Sequence, residues 1–537
     1  MKILDFKPRS HLEAAAQLDA FISWARLTLV KGIDNQWLHA GLQWDMYSWH
    51  KGGIKGCSFT AYMTRQDNSA ANARYMQQPF MDFAKALVVH HNIFRRKSSV
   101  DGMLRALRLL EVALLEHTGS VDVTKLSSAM CDTVAANLKL NFCEGDTAYL
   151  AGSILERIVK LMADKKILVT PFKWKSPIRY KSRISLKEQR ENHDKKLPSR
   201  ESILALGELF NNDLSSPLDI VTVSACAFLL SQPSRIGELA DVEHDCVLFK
   251  EDDAGNQRMF LRWYAEKGFG AVTKPVVKGM QPAVERALRL LAPITDEARS
   301  YAGWLEDHPD EFPPHKDVPL KGGDDPLSYE EACAALKIKI AKSNSARSKF
   351  RNDFLAPLAK RALLSPQAQA VIDEIEEGRD HSLGQSAYVN GKRKLVRFDD
   401  RAILTLRKLN ILLREKYLPK TFPYTTPPQD GKKRIKYRDA LFTVRTGMLP
   451  DETSSAVAIP HGFGVEIAAN PLRIGAQLGG SQTRQSIFQR HGYGDVRVNT
   501  HAFRHELNTE MHRAGLSQLL IDAFSGRTTR GSVYNHV

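Results

Sequence analysis

Apolar residues recur at helical spacing over most of this chain. Between about 70 and 170, Phe80, Phe83, Ala84 and Leu87 form one stripe. Leu104, Leu107, Leu110, Val112 and Leu114 form a second, and Leu150, Ile154, Ile158 and Leu161 a third. Stripes of this kind predict a compact bundle of four or five helices over residues 66–170. Upstream, residues 1–65 read as a small N-terminal unit, with Trp24, Trp37, Trp44 and Trp49 as core side chains. The helical period stops at 171–200, where ten Lys or Arg face only Glu188, Glu191 and Asp194, and Pro171, Pro177 and Pro198 interrupt the chain. Residues 171–196 are therefore expected to be a basic interdomain linker.

Periodicity resumes near 197 and continues to the end of the chain. Pro198 and Ser199 precede a helical run with Ile203, Leu206, Leu209 and Phe210. Two strand-like runs, 258–264 and 271–277, flank the turn Ala265-Glu266-Lys267-Gly268-Phe269-Gly270 and predict a hairpin. Helices alternate with Pro- and Gly-rich loops over about 281–480, which reads as an elaboration of the 197–537 region. Near the end, Phe503, Leu507 and Met511 mark a helix that Gly515 stops; Ser517 starts another, ended by Gly526-Arg527. The expected fold is mainly α with a small antiparallel β-sheet, in several domains.

Composition narrows the class. At 537 residues, 43% hydrophobic and 26% charged, the chain is globular and long enough for several domains. Its 76 basic and 61 acidic residues give a net charge of +15, which favours a polyanionic partner through counterion release. Six scattered cysteines form neither a disulfide framework nor a zinc site. The opening MKILDFKPRSHLEAA lacks a signal peptide's apolar core, and no stretch is long enough to span a bilayer. A reducing, cytoplasmic and nucleoid-associated location is expected, with no membrane partner. In the linker, Trp174 and Tyr180 interleave with cations, so Lys173, Lys175, Arg179, Lys181 and Arg183 are expected to contact nucleic-acid backbone.

The C-terminal region carries the chemistry. His501 and Arg504 lie three residues apart on one helix face, pairing a proton-transfer group with a guanidinium able to hold a phosphate through two parallel bonds. Seven residues past Arg527 comes Tyr534. Far upstream, Ser231-Gln232-Pro233-Ser234-Arg235-Ile236-Gly237-Glu238-Leu239 follows an apolar helix, with Ser234 as the expected N-cap and Arg235 in the first turn.

The series Arg…Lys…His-x-x-Arg…Gly-x…Tyr resembles that of the tyrosine recombinases, or phage-type integrases. THAFRHELNTEMHRAGLSQLLIDAFSGR is similar to their second signature box almost throughout, and the likeness covers about 200–280 and 480–537. The resemblance implies a helical core-DNA-binding bundle followed by a catalytic domain. It also implies catalytic roles for Arg235, Lys267, His501, Arg504 and Arg527, with Tyr534 as the nucleophile. Lys274 competes with Lys267 for the lysine's role, and Lys267 is preferred because a turn tip can reach the scissile link. Arg527 stands where the family has His or Trp, and is assigned phosphate binding, with a structural helix end as the alternative. The implied product is a 3′-phosphotyrosine link, with neither metal nor other cofactor.

The function expected on these grounds is site-specific recombination of double-stranded DNA by a mobile element's integrase or transposase. It would act as a dimer or tetramer on DNA, with accessory proteins as further partners. Two alternatives stay open: a type IB topoisomerase, and a DNA-binding accessory protein of the same fold that does not cleave. The basic run Lys432-Lys433-Arg434-Ile435-Lys436 in the elaboration reads as a solvated loop, with DNA contact as the alternative.

Overall fold

In a computed structural model the chain forms two compact units, one from Met1–Ser185 and one from Leu186–Lys360 with Leu364–Val537. The structure describes residues 9–31, 44–49, 57–61, 74–94, 100–142, 146–179, 196–251, 255–264, 271–339, 349–359, 364–377, 387–389, 392–394, 404–426, 433–449, 462–481 and 484–525. The described chain is mainly helical with small antiparallel sheets. No helix among the described residues is long and apolar enough to cross a membrane.

The first unit is built on α1 (Arg9–Leu27), α2 (Phe80–Phe94), α3 (Asp101–Thr118), α4 (Ser128–Asn141) and α5 (Asp146–Asp164). A two-residue ribbon, β1 (Ser48–Trp49) with β2 (Cys57–Ser58), lies in the same core. Trp44, Trp49 and Phe59 are buried in one cluster with Phe80, Phe83 and Leu107, so the described part of 1–65 is a wall of the bundle, not a unit apart. Trp44 keeps its polar edge satisfied by donating to Asp82, 2.9 Å away. Trp37 lies outside the described residues. On α5 the buried stripe is Ala151, Leu155, Ile158 and Met162; Leu150, assigned to the stripe from spacing alone, is exposed.

The basic linker begins as part of this unit. Residues 171–179 run extended over the bundle, and the period of two in an extended chain sorts their side chains. Phe172 and Trp174 pack on the core, Ile178 is buried in it, and Trp174 donates to Asp132 across 2.9 Å. Gly152 of α5 permits the close approach: a Cβ there would meet Ser176 Oγ at 2.5 Å. Lys173, Lys175 and Arg179 take the alternate, exposed positions. Lys181 and Arg183 lie outside the described residues.

The second unit has a core of its own. Its apolar helix α7 (Pro217–Ser231) is packed by α6 (Arg200–Asn211), by the long α8 (Gln281–Asp307) and by α14 (Thr500–Arg513). Beside them lies the sheet β3 (Val247–Glu251), β4 (Gln257–Tyr264) and β5 (Ala271–Pro275), antiparallel in the order β3-β4-β5. Met259, Leu261 and Trp263 alternate inward along β4 and enter this core. The expected hairpin is β4–β5; β3 is an additional strand.

The region 281–480 divides differently from the sequence expectation. Val284, Leu291 and Ile294 of α8 belong to the second unit's main core, as do Leu441, Phe442, Ile474 and Leu478. Between them, α9 (Tyr329–Ala335), α10 (Pro366–Glu377) and α11 (Leu406–Tyr417) enclose a separate core around Phe350, Phe354, Leu409 and Leu413. The elaboration with its own interior thus runs from about 312 to 417. A small ribbon, β6 (Ala387–Val389) with β7 (Lys392–Lys394), lies within that span. Beyond it, β8 (Thr443–Arg445) pairs with β9 (Val465–Ile467), and α12 (Pro471–Gly479) and α13 (Ile487–Arg490) lead to α14 and α15 (Gln518–Phe524). Cys57, Cys131, Cys226, Cys246 and Cys333 are buried free thiols, the first four pushed up to about 12 by burial. They behave as small apolar side chains.

Candidate active site

The apolar helix α7 ends at Ser231, and the chain turns through Gln232-Pro233-Ser234 into a 3₁₀ helix, Ile236–Asp241. Arg235, not Ser234, is the N-cap. The difference has a visible cause in Glu238, whose carboxylate reaches back to accept from the Arg235 backbone N–H at 3.1 Å and from its guanidinium Nη1 at 3.1 Å. That carboxylate is fully buried and also accepts from Trp263 Nε1 at 2.9 Å. A buried charge needs partners of this quality, and in finding them Glu238 fixes Arg235 at both its backbone and its side chain.

Lys274 enters from β5. Opposite Leu261 in the ladder, it takes an inward position of the strand and is 1% exposed. Its Nζ donates to Ser234 Oγ at 3.1 Å and lies 5.7 Å from the centre of the Trp263 ring. Burial pushes the ammonium down to about 8; Glu238 opposes this, and the charges of Arg504 and Arg235 add to it. The Lys274 ammonium thus feels both guanidinium charges, with Glu238 as the balancing charge.

Arg504 comes from α14, which Asn499 caps by accepting from the Ala502 N–H at 2.9 Å. It is 3% exposed, and its Nη2 donates to the Ser525 carbonyl at 2.6 Å. One turn on, Asn508 Oδ1 accepts from Ser525 Oγ at 2.7 Å. Ser525 immediately precedes residues 526–537, which carry Arg527 and Tyr534. His501, on the same helix, is exposed, its ring edge-on to His505 with centroids 4.5 Å apart.

The described residues therefore bring Lys274 beside the turn into Arg235 and within electrostatic reach of both Arg235 and Arg504. Lys267, Arg527 and Tyr534 lie outside the described residues; the ladder ends flanking Lys267 are the pair Tyr264 and Ala271. Glu238, Trp263, Ser234 and Asn508 were missed by sequence reasoning. Glu238 stands three residues after Arg235, but with Ser234 expected as the cap that spacing is off by one and gives no capping-box signal. The other three are brought in by tertiary contacts with no local signature. Both ends of the buried Gln232 amide lack a hydrogen-bond partner among the described residues, beside the turn into Arg235. Among the described residues no group of three or more His, Cys, Asp or Glu side chains is placed to hold a metal ion.

In the basic run of the elaboration Lys433 is exposed, as a solvated loop would have it, but Ile435 is buried and the cations described have partners. Lys433 donates to Glu243 at 2.9 Å, Lys436 is bonded to Glu306, and the Arg434 guanidinium lies 3.8 Å from the Tyr424 ring centre. Compared with known proteins, the chain matches no family model and no curated sequence.

Proposed function

We propose that this chain is a site-specific DNA recombinase of the tyrosine recombinase type, cleaving and rejoining duplex DNA as an assembly of several copies. The observation that carries the reading is that the buried Lys274 ammonium, bonded to Ser234 beside Arg235, lies within electrostatic reach of both Arg235 and Arg504, with Arg504 bonded to the residue at the root of the segment bearing Tyr534. Phosphodiester cleavage builds negative charge on non-bridging oxygens, and two fixed guanidinium groups beside a buried ammonium are donors suited to it.

In the proposed step Tyr534 gives its proton to His501, and its oxygen forms a bond to phosphorus. The bond from phosphorus to the 5′-oxygen breaks, and that oxygen leaves with a proton from Lys267. Phosphate passes from one ester to another, so rejoining reverses the step and uses no external energy source. Lys274, buried with its Nζ on Ser234, adds charge and holds the turn before Arg235. Lys267, in a hairpin turn, is the acid. Lys173, Lys175 and Arg179, aligned on one exposed edge by the packing of their neighbours, are assigned to duplex backbone, and Lys181 and Arg183 extend that assignment.

The test is covalent capture. Wild type is incubated with a pool of nicked duplexes of randomised sequence, denatured, and assayed for DNA attached to protein. Attachment that Tyr534→Phe abolishes while binding persists is the expected result. Tight binding with no attachment would identify a non-cleaving DNA-binding protein instead, and relaxation of supercoiled plasmid without exchange between two captured sites would identify a topoisomerase.

A further inference from the structure

The turn that leads from α7 into Arg235 gathers buried polar atoms that a folded chain ordinarily satisfies. Gln232 is buried, and neither end of its amide has a partner among the described residues. Ser234 is 2% exposed, and its hydroxyl meets the Lys274 ammonium, whose Nζ donates to Ser234 Oγ at 3.1 Å. The Ser234 backbone N–H is spent on the Gln232 carbonyl at 2.8 Å, which closes the turn around Pro233.

A hydroxyl has one proton to give and lone pairs to receive with. At Ser234 the receiving side is taken by the ammonium. An ammonium has no lone pair, so the hydroxyl proton cannot turn back to Lys274 and points elsewhere. Among the described residues nothing accepts it. The contact therefore fixes the direction of a donor and leaves it without a taker, which is the state of a preorganised donor before its anion arrives. Packing gives no account of this arrangement, because a buried hydroxyl with an unmet proton costs stability.

The setting selects an anionic oxygen as the taker. Ser234 directly precedes Arg235, whose side chain is 25% exposed, so the core opens at this turn. Lys274 also feels the charges of Arg235 and Arg504. A neutral hydroxyl adds a hydrogen bond in such surroundings without adding a further like charge. We propose that the Ser234 hydroxyl donates to a non-bridging oxygen of the cleaved phosphate, with Lys274 as the positioning residue that holds its proton away from β5. This rests on the recombinase reading above and adds a catalytic residue to it. No bond to Ser234 oxygen forms or breaks; its hydrogen bond strengthens as charge builds on the phosphate oxygen.

The test uses the full chain and duplexes captured by wild type, resynthesised with sulfur in place of either non-bridging oxygen of the cleaved phosphate, as separate diastereomers. Sulfur is a weak acceptor, so it withdraws the hydrogen bond that the replaced oxygen received. Single-turnover cleavage at saturating protein is the readout. Ser234→Ala should cleave the all-oxygen duplex slower by a factor on the order of a hundred, the usual cost of one such donor. One diastereomer should slow wild type but leave Ser234→Ala no slower than with oxygen, and the other should slow both alike. Ser234→Thr, which keeps the hydroxyl, should restore the wild-type pattern. Ser234→Ala also takes the acceptor from a buried ammonium. The comparison is therefore repeated between Lys274→Met and the double variant Ser234→Ala with Lys274→Met, in which no buried ammonium remains. There too, loss of the hydroxyl should erase the response to the same diastereomer. A wild-type rate in Ser234→Ala overturns the assignment. So does a slowed variant that keeps the wild-type response to both diastereomers, since a hydroxyl that served the fold alone would touch neither oxygen. The recombinase reading fails separately, if wild type forms no Tyr534-dependent adduct, and the Ser234 assignment falls with it.

Discussion

Lys274 Nζ lies 3.1 Å from Ser234 Oγ, with both side chains buried, so a lysine of the hairpin is bonded to the residue immediately before Arg235. The contact ties β5 to the turn that orients a guanidinium. It also keeps an ammonium where water cannot solvate it, which is why its pKa falls to about 8.

A pH dependence follows. As pH rises through about 8 the folded protein loses the Lys274 charge, while the unfolded chain keeps its proton to about 10.5. Below 8 both states are charged and burial costs the fold about 3 kcal/mol; above 10.5 both are neutral and the cost is gone. Stability relative to Lys274→Met should therefore rise with pH between 8 and 10.5, as measured by denaturant unfolding at several pH values. Covalent capture should run the other way. Its rate should carry a limb that descends near pH 8, and Lys274→Met should lack that limb. A parallel pH profile in the variant would remove Lys274 from the site.

Arg504 and Ser525 make the second case. Arg504→Ala should slow capture by about 3 kcal/mol in the transition state, the cost of one preorganised donor at a developing charge. Ser525→Ala leaves the carbonyl that Arg504 uses but strips Asn508 of its hydroxyl partner. It should cost about 1–3 kcal/mol of stability, the penalty for a buried polar group left unmatched. Capture should also slow, because the root of the Tyr534 segment loses one of its two ties, and Ser525→Thr should restore both. Denaturant midpoints and single-turnover capture rates provide the measurements.

How far the sequence carried these conclusions depended on how local each signal was. The hairpin was readable because alternation in 258–264 sets Met259, Leu261 and Trp263 inward whatever else surrounds them. The α14 helix was readable from Phe503 and its neighbours. Position relative to distant elements was not. Leu150 has helical spacing but lies exposed, while Ile154 and Ile158 of the same stripe are buried beside Ala151, Leu155 and Met162. The run 432–436 gives no local sign of its counter-charges, because Glu243 and Glu306, which pair with Lys433 and Lys436, lie more than a hundred residues earlier. Lys274 appeared inferior to Lys267 because a strand residue reaches less far than a turn residue. Its closeness to Arg235 exists only once β5 folds against the 3₁₀ helix.

Residues 171–179, lying over the bundle, predict a separable defect. Replacing Lys173, Lys175 and Arg179 together by Ala should leave Trp174 and Ile178 docked, and stability close to wild type. Duplex affinity should weaken across all sequences, and the salt dependence of log K should flatten by up to about 2.7 if all three meet phosphates. At saturating protein the capture rate should be unchanged, since these cations only hold the duplex. Filter binding across a salt series measures the slope, and a slope equal to wild type would assign residues 171–179 no DNA contact.

Glu238 provides the sharpest test of how Arg235 is held. Its carboxylate accepts three hydrogen bonds, from the Arg235 backbone, the Arg235 guanidinium and Trp263. Glu238→Gln preserves size but replaces one acceptor oxygen with a donor, so either Arg235 or Trp263 must face an N–H where it needs an oxygen. It also removes the negative charge that raises the proton affinity of Lys274 against burial and the two arginines. The variant should lose about 3–5 kcal/mol of stability, as breaking a buried charge pair does. Its pH limb should move below 8, because an ammonium without Glu238 loses its proton more readily. The two readouts separate packing from electrostatics: Trp263→Phe deletes one donor to the same carboxylate and should lower stability while leaving the limb near 8. A Glu238→Gln limb that stays at its wild-type position would show that the carboxylate serves the fold alone.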